Sequence, residues 1–238
     1  MAKRISALIP AYNEADVIAQ TVRAALDIPG VSEVLVVDDG SKDDTAEVAR
    51  SAGAHQVIKL THNIGKGGAL NRGWKQCKGE ILLLLDADLG YSASEGIKLL
   101  EPVLKDEADM AIAMLSGLPP EKTNSDMPIL SPRSKGFGLV VKTARFGIML
   151  LTRRKMQAPL AGPRALKREI VERIGGFNSR FGIEVGLTID ALRMGYRVIE
   201  VPVDMVHRAS GRDLRGFIHR GRQFLDVVLT LMRKTFRL

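Results

Sequence analysis

Two hydrophobic rhythms alternate along the first half of the chain. Short, continuously apolar runs such as VLVV (34–37) and ILLLL (81–85) read as strands covered on both faces, and between them apolar residues recur at helical spacing. This pattern predicts strands over 5–10, 34–39, 56–60, 80–86 and 110–115, with helices over 14–26, 43–53, 67–77 and 92–104. A regular strand–helix repeat specifies an α/β fold with a mostly parallel sheet and helices on both of its faces. The rhythm breaks over 116–135, where proline, serine and charge dominate and a mobile loop is expected. Beyond it the pattern predicts a helix over 136–155, then a turn at APLAGPRALKRE leading into a helix with the Ala165 to Ile174 pattern behind it. A helix over 182–195 follows, then a strand over 197–206 whose Pro202 suggests an edge or a bulge. The last element is an amphipathic helix over about 212–236. Residues 1–115 and 116–238 are read as two halves of one compact domain.

The strand ends carry the polar residues. In open sheets of this type ligands bind beyond the carboxyl ends of the strands. Three such ends are polar here: Pro10 to Glu14, Asp38 to Ser41, and Asp86-Ala87-Asp88. The last is the most pointed, because five aliphatic residues run straight into two carboxylates, and burying an unpaired charge is costly. Either the pair is solvated in a loop, or something positive sits between the carboxylates. Oxygen ligands at this spacing suit Mg2+ or Mn2+. Asp38 and Asp39 stand at a rim where a base or ribose could hydrogen-bond, whereas Asp43, Asp44 and Thr45 are explained by turn and capping chemistry. In NIGKGGALNRG, glycines free the backbone and Lys66 precedes a helix N-terminus, a natural anion site; it is equally a position for an ordinary exposed lysine.

Composition narrows the classes. The net charge is +8 over 238 residues, which favours an anionic partner, but aromatic residues make up 5%, too few for base-stacking platforms, so nucleic acid is not expected. No run is long and apolar enough to span a bilayer, the N-terminus does not read as a signal peptide, and the one cysteine, Cys77, fits a reducing cytoplasm.

Taken in order, IPAYNE, VVDDGS, GKGGAL and LLLDADL resemble the nucleotide-sugar half of the family 2 glycosyltransferases and their GT-A-fold relatives, over residues 5 to about 115. The resemblance implies that Pro10, Ala11, Tyr12, Glu14, Asp38 and Asp39 bind the nucleotide together with Ala87. Lys66 would approach the diphosphate, and Asp86 and Asp88 would form the DxD pair that serves the cation. The second half, through LAGPRALKRE, FGIEVGLTID and VHR, resembles glucosyl-3-phosphoglycerate synthases, which are retaining enzymes that use UDP-glucose. That likeness places Glu184 and Leu160 at the donor sugar and His207 beside Asp88 on the metal, with Asp88, Glu184 and Lys66 as the catalytic set. Taken alone, Glu184 also suits a helix N-terminus and His207 a strand end at the surface. Gly162, Arg164 and Lys167 are the acceptor candidates, although AGPRALKRE departs from the GGEYAATRE-like pattern of those enzymes and Met205 replaces an arginine two residues before the histidine.

These features predict a metal-dependent glycosyltransferase moving a hexosyl group, glucose by preference, from a UDP-sugar to a hydroxyl on a small anionic acceptor, with retention. The alternative is a membrane-associated transferase acting on a polyprenyl phosphate. From Arg208 onward seven arginines and one lysine face only Asp213 and Asp226, so the terminal helix either packs on its own domain or lies on an anionic membrane. The expected location is cytoplasmic, or peripheral at the inner face of the membrane, and a homodimer stays open.

Overall fold

The computed structural model describes residues 3–115, 137–178, 182–207 and 228–235. Its first part follows the expected repeat. β1 (Ile5–Ala11), α1 (Ile18–Leu26), β2 (Val31–Asp38), α2 (Thr45–Ser51), β3 (Gln56–Lys59), α3 (Lys66–Gly73) and β4 (Ile81–Leu84) come first. A 3₁₀ turn over Gly90–Glu95 then leads into α4 (Gly96–Leu104) and β5 (Met110–Leu115). The second part contributes α5 (Phe137–Thr152), β6 (Arg164–Lys167), α6 (Arg168–Ile174), α7 (Ile183–Arg193) and β7 (Val198–Val203). Residues 228–235 are helical. The loop expected over 116–135 and most of the helix expected over 212–236 lie outside the described residues.

All seven strands form one sheet in the order β3-β2-β1-β4-β6-β5-β7. The pairs β1–β2, β1–β4, β2–β3 and β5–β7 are parallel, and only β6 runs against its neighbours. Alternation along the strands divides the core. Ile5, Ala7, Ile9, Ile81 and Leu83 face α1, α2 and α4, whereas Leu8, Leu82 and Leu84 face α3, α5, α6 and α7. Burial on both faces explains why these strands read as unbroken apolar runs. Pro202 lies on β7, an edge strand, where its missing N–H costs no ladder bond.

One expectation is overturned. Arg164 to Lys167 form a strand, and the helix begins only at Arg168. Ala165, Leu166, Ile170, Val171 and Ile174 do have helical spacing, but β4 and β5 each leave an edge that residues 164–167 fill. Backbone pairing on both sides outweighs local propensity. Cys77 is buried and burial pushes its thiol up to about 12, so it is a packing residue and not a reactive one.

At the amino end of the sheet, Asp109 accepts hydrogen bonds from Arg197 and pairs with Lys167, and Asp106 joins the same cluster. The Arg197 guanidinium, helped by Lys167 and opposed by burial, holds the Asp109 carboxyl well below the usual carboxylate range. A depressed folded-state pKa gives stability above the unfolded pKa of about 3.9 that is lost as pH falls through the folded value. Asp109→Asn should therefore lower unfolding free energy at pH 7 by about 1–3 kcal/mol, and the gap from the parent should close toward pH 2 in urea titrations.

Candidate active site

The carboxyl ends of β1, β2 and β4 open onto one rim. There the loop after β1 is stitched to the loop after β2: Asn13 N–H donates to Ser41 Oγ, Lys42 N–H to Asn13 Oδ1, and Glu14 N–H to Thr45 Oγ1. Gly40 takes a left-handed backbone (φ 73°), and any side chain there would collide with the His62 backbone. Tyr12 stands exposed at this rim, whereas Asp38 and Asp39 are buried. Both Asp39 oxygens are engaged, accepting the Ile64 and Gly65 N–H groups at 2.8 Å, so this carboxylate fixes the loop that leads into α3. Burial raises its pKa, with the two N–H groups opposing. Asp38 accepts Ser41 N–H through one oxygen, and its other oxygen has no partner among the described residues. Asp43 accepts from Thr45 and Ala15, as its turn role requires.

The turn after β4 is held from behind. Thr21 of α1, fully buried, donates to the Ala87 carbonyl at 2.8 Å and accepts the Gly90 N–H. This bracket fixes the backbone between Asp86 and Asp88. Ser92 then ties the segment after β7 to the same turn by accepting the Val206 N–H at 3.0 Å, which brings His207 alongside. His207 Nδ1 lies 3.0 Å from Asp88 Oδ1, and its Nε2 lies 3.9 Å from Asp86 Oδ2. Burial works against the charge on this imidazole, but the hydrogen bond to Asp88 and the field of Asp86 leave its pKa raised.

Lys66 answers the question posed by the acidic pair. Its ammonium donates to Asp86 Oδ1 at 2.6 Å and to Glu184 Oε1 at 3.0 Å, joining β4 to the first turn of α7. Burial alone disfavours charge on both Lys66 and Asp86. Their mutual attraction, with Glu184 acting on Lys66 and His207 on Asp86, reverses this, so Lys66 is raised and Asp86 lowered and both stay ionised. Gly162 closes over the pair, and a Cβ at that position would run into the Asp86 carboxylate and the Lys66 ammonium. Leu160 is half-buried in the same loop, which Glu200 anchors by accepting the Gln157 and Ala158 N–H groups.

Arg164 and Lys167 part company. Arg164 is 1% exposed. Its guanidinium donates to the carbonyls of Ala161, Gly162 and Glu184, so it braces the 158–162 loop against α7 from behind the site. Lys167 lies at the other end of β6, opposite Ile81, where it is committed to Asp106 and Asp109. An antiparallel strand of four residues separates the two by about 10 Å, so Lys167 does not join the site. The bracing residues Thr21, Ser92 and Glu200 carry no motif and were not found from the sequence.

The site therefore combines three carboxylates, a lysine between two of them and an imidazole beside Asp86 and Asp88, with an exposed tyrosine further along the rim. Among the described residues no three acidic, histidine or cysteine side chains are disposed to hold an ion by themselves, because Asp86 is turned toward Lys66. Asp88 and His207 remain paired as potential ligands.

A family model described as glycosyl transferase family 2 matches residues 6–175. The uncharacterized protein MJ1222 of Methanocaldococcus jannaschii is 32% identical over 210 residues, covering 85% of this chain and 82% of that protein. The undecaprenyl-phosphate 4-deoxy-4-formamido-L-arabinose transferase of Klebsiella pneumoniae is 26% identical, covering 99% of this chain and 70% of its own length. Some relatives are much longer: the chain spans 36% of the Haloferax volcanii glycosyltransferase AglD. Among solved structures, glucosyl-3-phosphoglycerate synthase from Mycobacterium tuberculosis, in complex with Mn2+, UDP and phosphoglyceric acid, superimposes with a TM-score of 0.77 at 26% identity. That match covers 98% of this chain and 78% of the other, so the GT-A architecture expected from the first half extends through the second.

Replacing Arg164 tests the bracing role. Arg164→Leu strands buried carbonyls and removes a positive charge near Asp86 and Glu184, and should cost about 3–5 kcal/mol in urea unfolding. Arg164→Lys keeps the charge but not the fork and should recover only part of that loss.

Proposed function

The chain belongs to glycosyl transferase family 2, and from that premise we propose that it transfers a hexosyl group, glucose by preference, from a UDP-sugar to an acceptor hydroxyl with the help of Mg2+ or Mn2+. The observation that carries this reading is the convergence of Asp86, Asp88, Lys66, Glu184 and His207 at one strand rim. The donor set suits the cation: hard carboxylate oxygens and a borderline imidazole nitrogen are ligands for magnesium- and manganese-type ions. Two or three protein ligands suffice where substrate phosphates and water complete the shell, which accords with the lack of a self-sufficient three-ligand group among the described residues. Asp88 and His207 would hold the ion directly, with Asp86 joining them on release from Lys66, and the ion when bound would stabilise the negative charge of departing UDP.

The protein's own groups supply the rest. Lys66 is held charged and opens α3, and a cation at a helix N-terminus favours a diphosphate. Tyr12 offers an exposed ring for the base. Glu184 is only 13% exposed and is tied to Lys66, so it is better placed to orient the sugar than to take a proton from an acceptor. That supports retention, with the departing phosphate accepting the acceptor's proton. A small anionic acceptor would have to find its cation elsewhere than Lys167 or the buried Arg164. A second reading, in which the acceptor is a polyprenyl phosphate, rests on the Klebsiella relative, whose name gives undecaprenyl phosphate.

A thermal-shift panel of nucleotide sugars with and without Mn2+ tests the donor. UDP-glucose at a hundred times its dissociation constant should stabilise the protein by about 2.7 kcal/mol. Asp88→Ala should abolish the Mn2+-dependent part of that shift, and an unchanged shift removes Asp88 from the site. Glu184→Gln should lower turnover far more than UDP affinity. The proton NMR spectrum of the product decides the stereochemistry: a retained anomeric configuration is expected, and an inverted one ends that part of the proposal.

A further inference from the structure

Six of the thirteen large apolar residues exposed among the described residues lie on two neighbouring helices: Leu139, Phe146, Met149 and Leu150 on α5, and Leu229 and Met232 within 228–235. The inner side of α5 is ordinary core, with Val140, Ala144 and Ile148 buried, and Gly147 is the point where Leu231 of the second helix packs against it. The outer side is different. Leu139, Phe146, Met149 and Leu150 fall on one arc of the helix, Lys142 falls within that arc, and Arg153 follows directly after the helix's last residue. Residues 137–155 contain five lysines and arginines and no aspartate or glutamate. A protein-facing surface usually carries both signs of charge, and singly scattered apolar residues need no explanation, but this is a contiguous apolar stripe flanked by one sign only.

We propose that α5 and residues 228–235 form a docking face for an anionic lipid bilayer. The stripe would sink into the headgroup boundary while Lys142 and Arg153 extend their ammonium and guanidinium groups outward to lipid phosphates. Among the described residues no helix is long and apolar enough to cross a membrane, so the contact is one of lying on the surface. The face is connected to the site. Arg145 on α5 donates to the Gln157 carbonyl, at the start of the loop that carries Leu160 and Gly162, and α5 packs on α7, which carries Glu184. The inference goes beyond the transferase reading and does not require it.

Co-sedimentation with phosphatidylcholine vesicles, with and without phosphatidylglycerol, tests it. The parent protein should bind the anionic vesicles at least about tenfold more tightly than the neutral ones. Lys142→Glu with Arg153→Glu should remove that preference, and Phe146→Ser with Leu150→Ser should release the protein at unchanged charge. All four side chains are exposed, so melting points should stay near the parent's, and the UDP thermal shift should persist, which separates failure of docking from failure of the transferase reading. Three results overturn the proposal: no binding to anionic vesicles, binding that survives both pairs of substitutions, or a dimer in light scattering that Phe146→Ser dissolves, which assigns the face to a second copy of the chain.

Discussion

Lys66 is the charge on which the arrangement rests. Two carboxylates from distant parts of the chain, Asp86 after β4 and Glu184 at the start of α7, meet at its ammonium within 2.6 and 3.0 Å. In such partly buried surroundings desolvation works against charge on both Lys66 and Asp86, and their mutual attraction outweighs it. Together they hold one another charged. The same contact ties the first half of the chain to the second, because one carboxylate ends a strand of the parallel repeat and the other opens a helix almost a hundred residues further on.

Around this contact the protein invests in backbone brackets. Thr21 fixes the turn between the two aspartates, Ser92 draws His207 to it, Glu200 holds the loop that ends at Gly162, and Arg164 braces that loop from behind. Preorganisation of this sort is what electrostatic catalysis requires, since groups already aimed at developing charge need not reorganise during the reaction. Mobility would be a poor substitute: a carboxylate free to swing would pair with Lys66 in several ways and present no fixed pocket to a diphosphate.

Much of this was legible in the residues. The inner strands β1, β2 and β4 announce themselves because burial on both faces demands continuous apolar runs, and the acidic pair stood out because such runs seldom end in charge. Family likeness then located Lys66, Glu184 and His207 in one site. β6 was not legible, since four residues with an apolar pair in the middle satisfy a helix as well as a strand, and only the open edges of β4 and β5 decide between them. Arg164 was expected in the turn before that helix, where its side chain could reach an acceptor; as the first residue of β6 it is buried and braces the loop against α7. Asp39 shows the opposite limit. Its place at the rim was correct, but its oxygens are used by Ile64 and Gly65, a partnership that depends on how a later loop returns.

The inserted antiparallel strand also bears on how the chain reaches its fold during synthesis. β5 has β6 and β7 as its two neighbours, and both are encoded after it. Until residue 167 has left the ribosome, Ile81–Leu84 presents a bare edge and Met110–Leu115 has no ladder partner on either flank. A nascent chain halted near residue 115 is thus an aliphatic strand edge waiting for its cover, the kind of surface that chaperones protect and that aggregates when they do not.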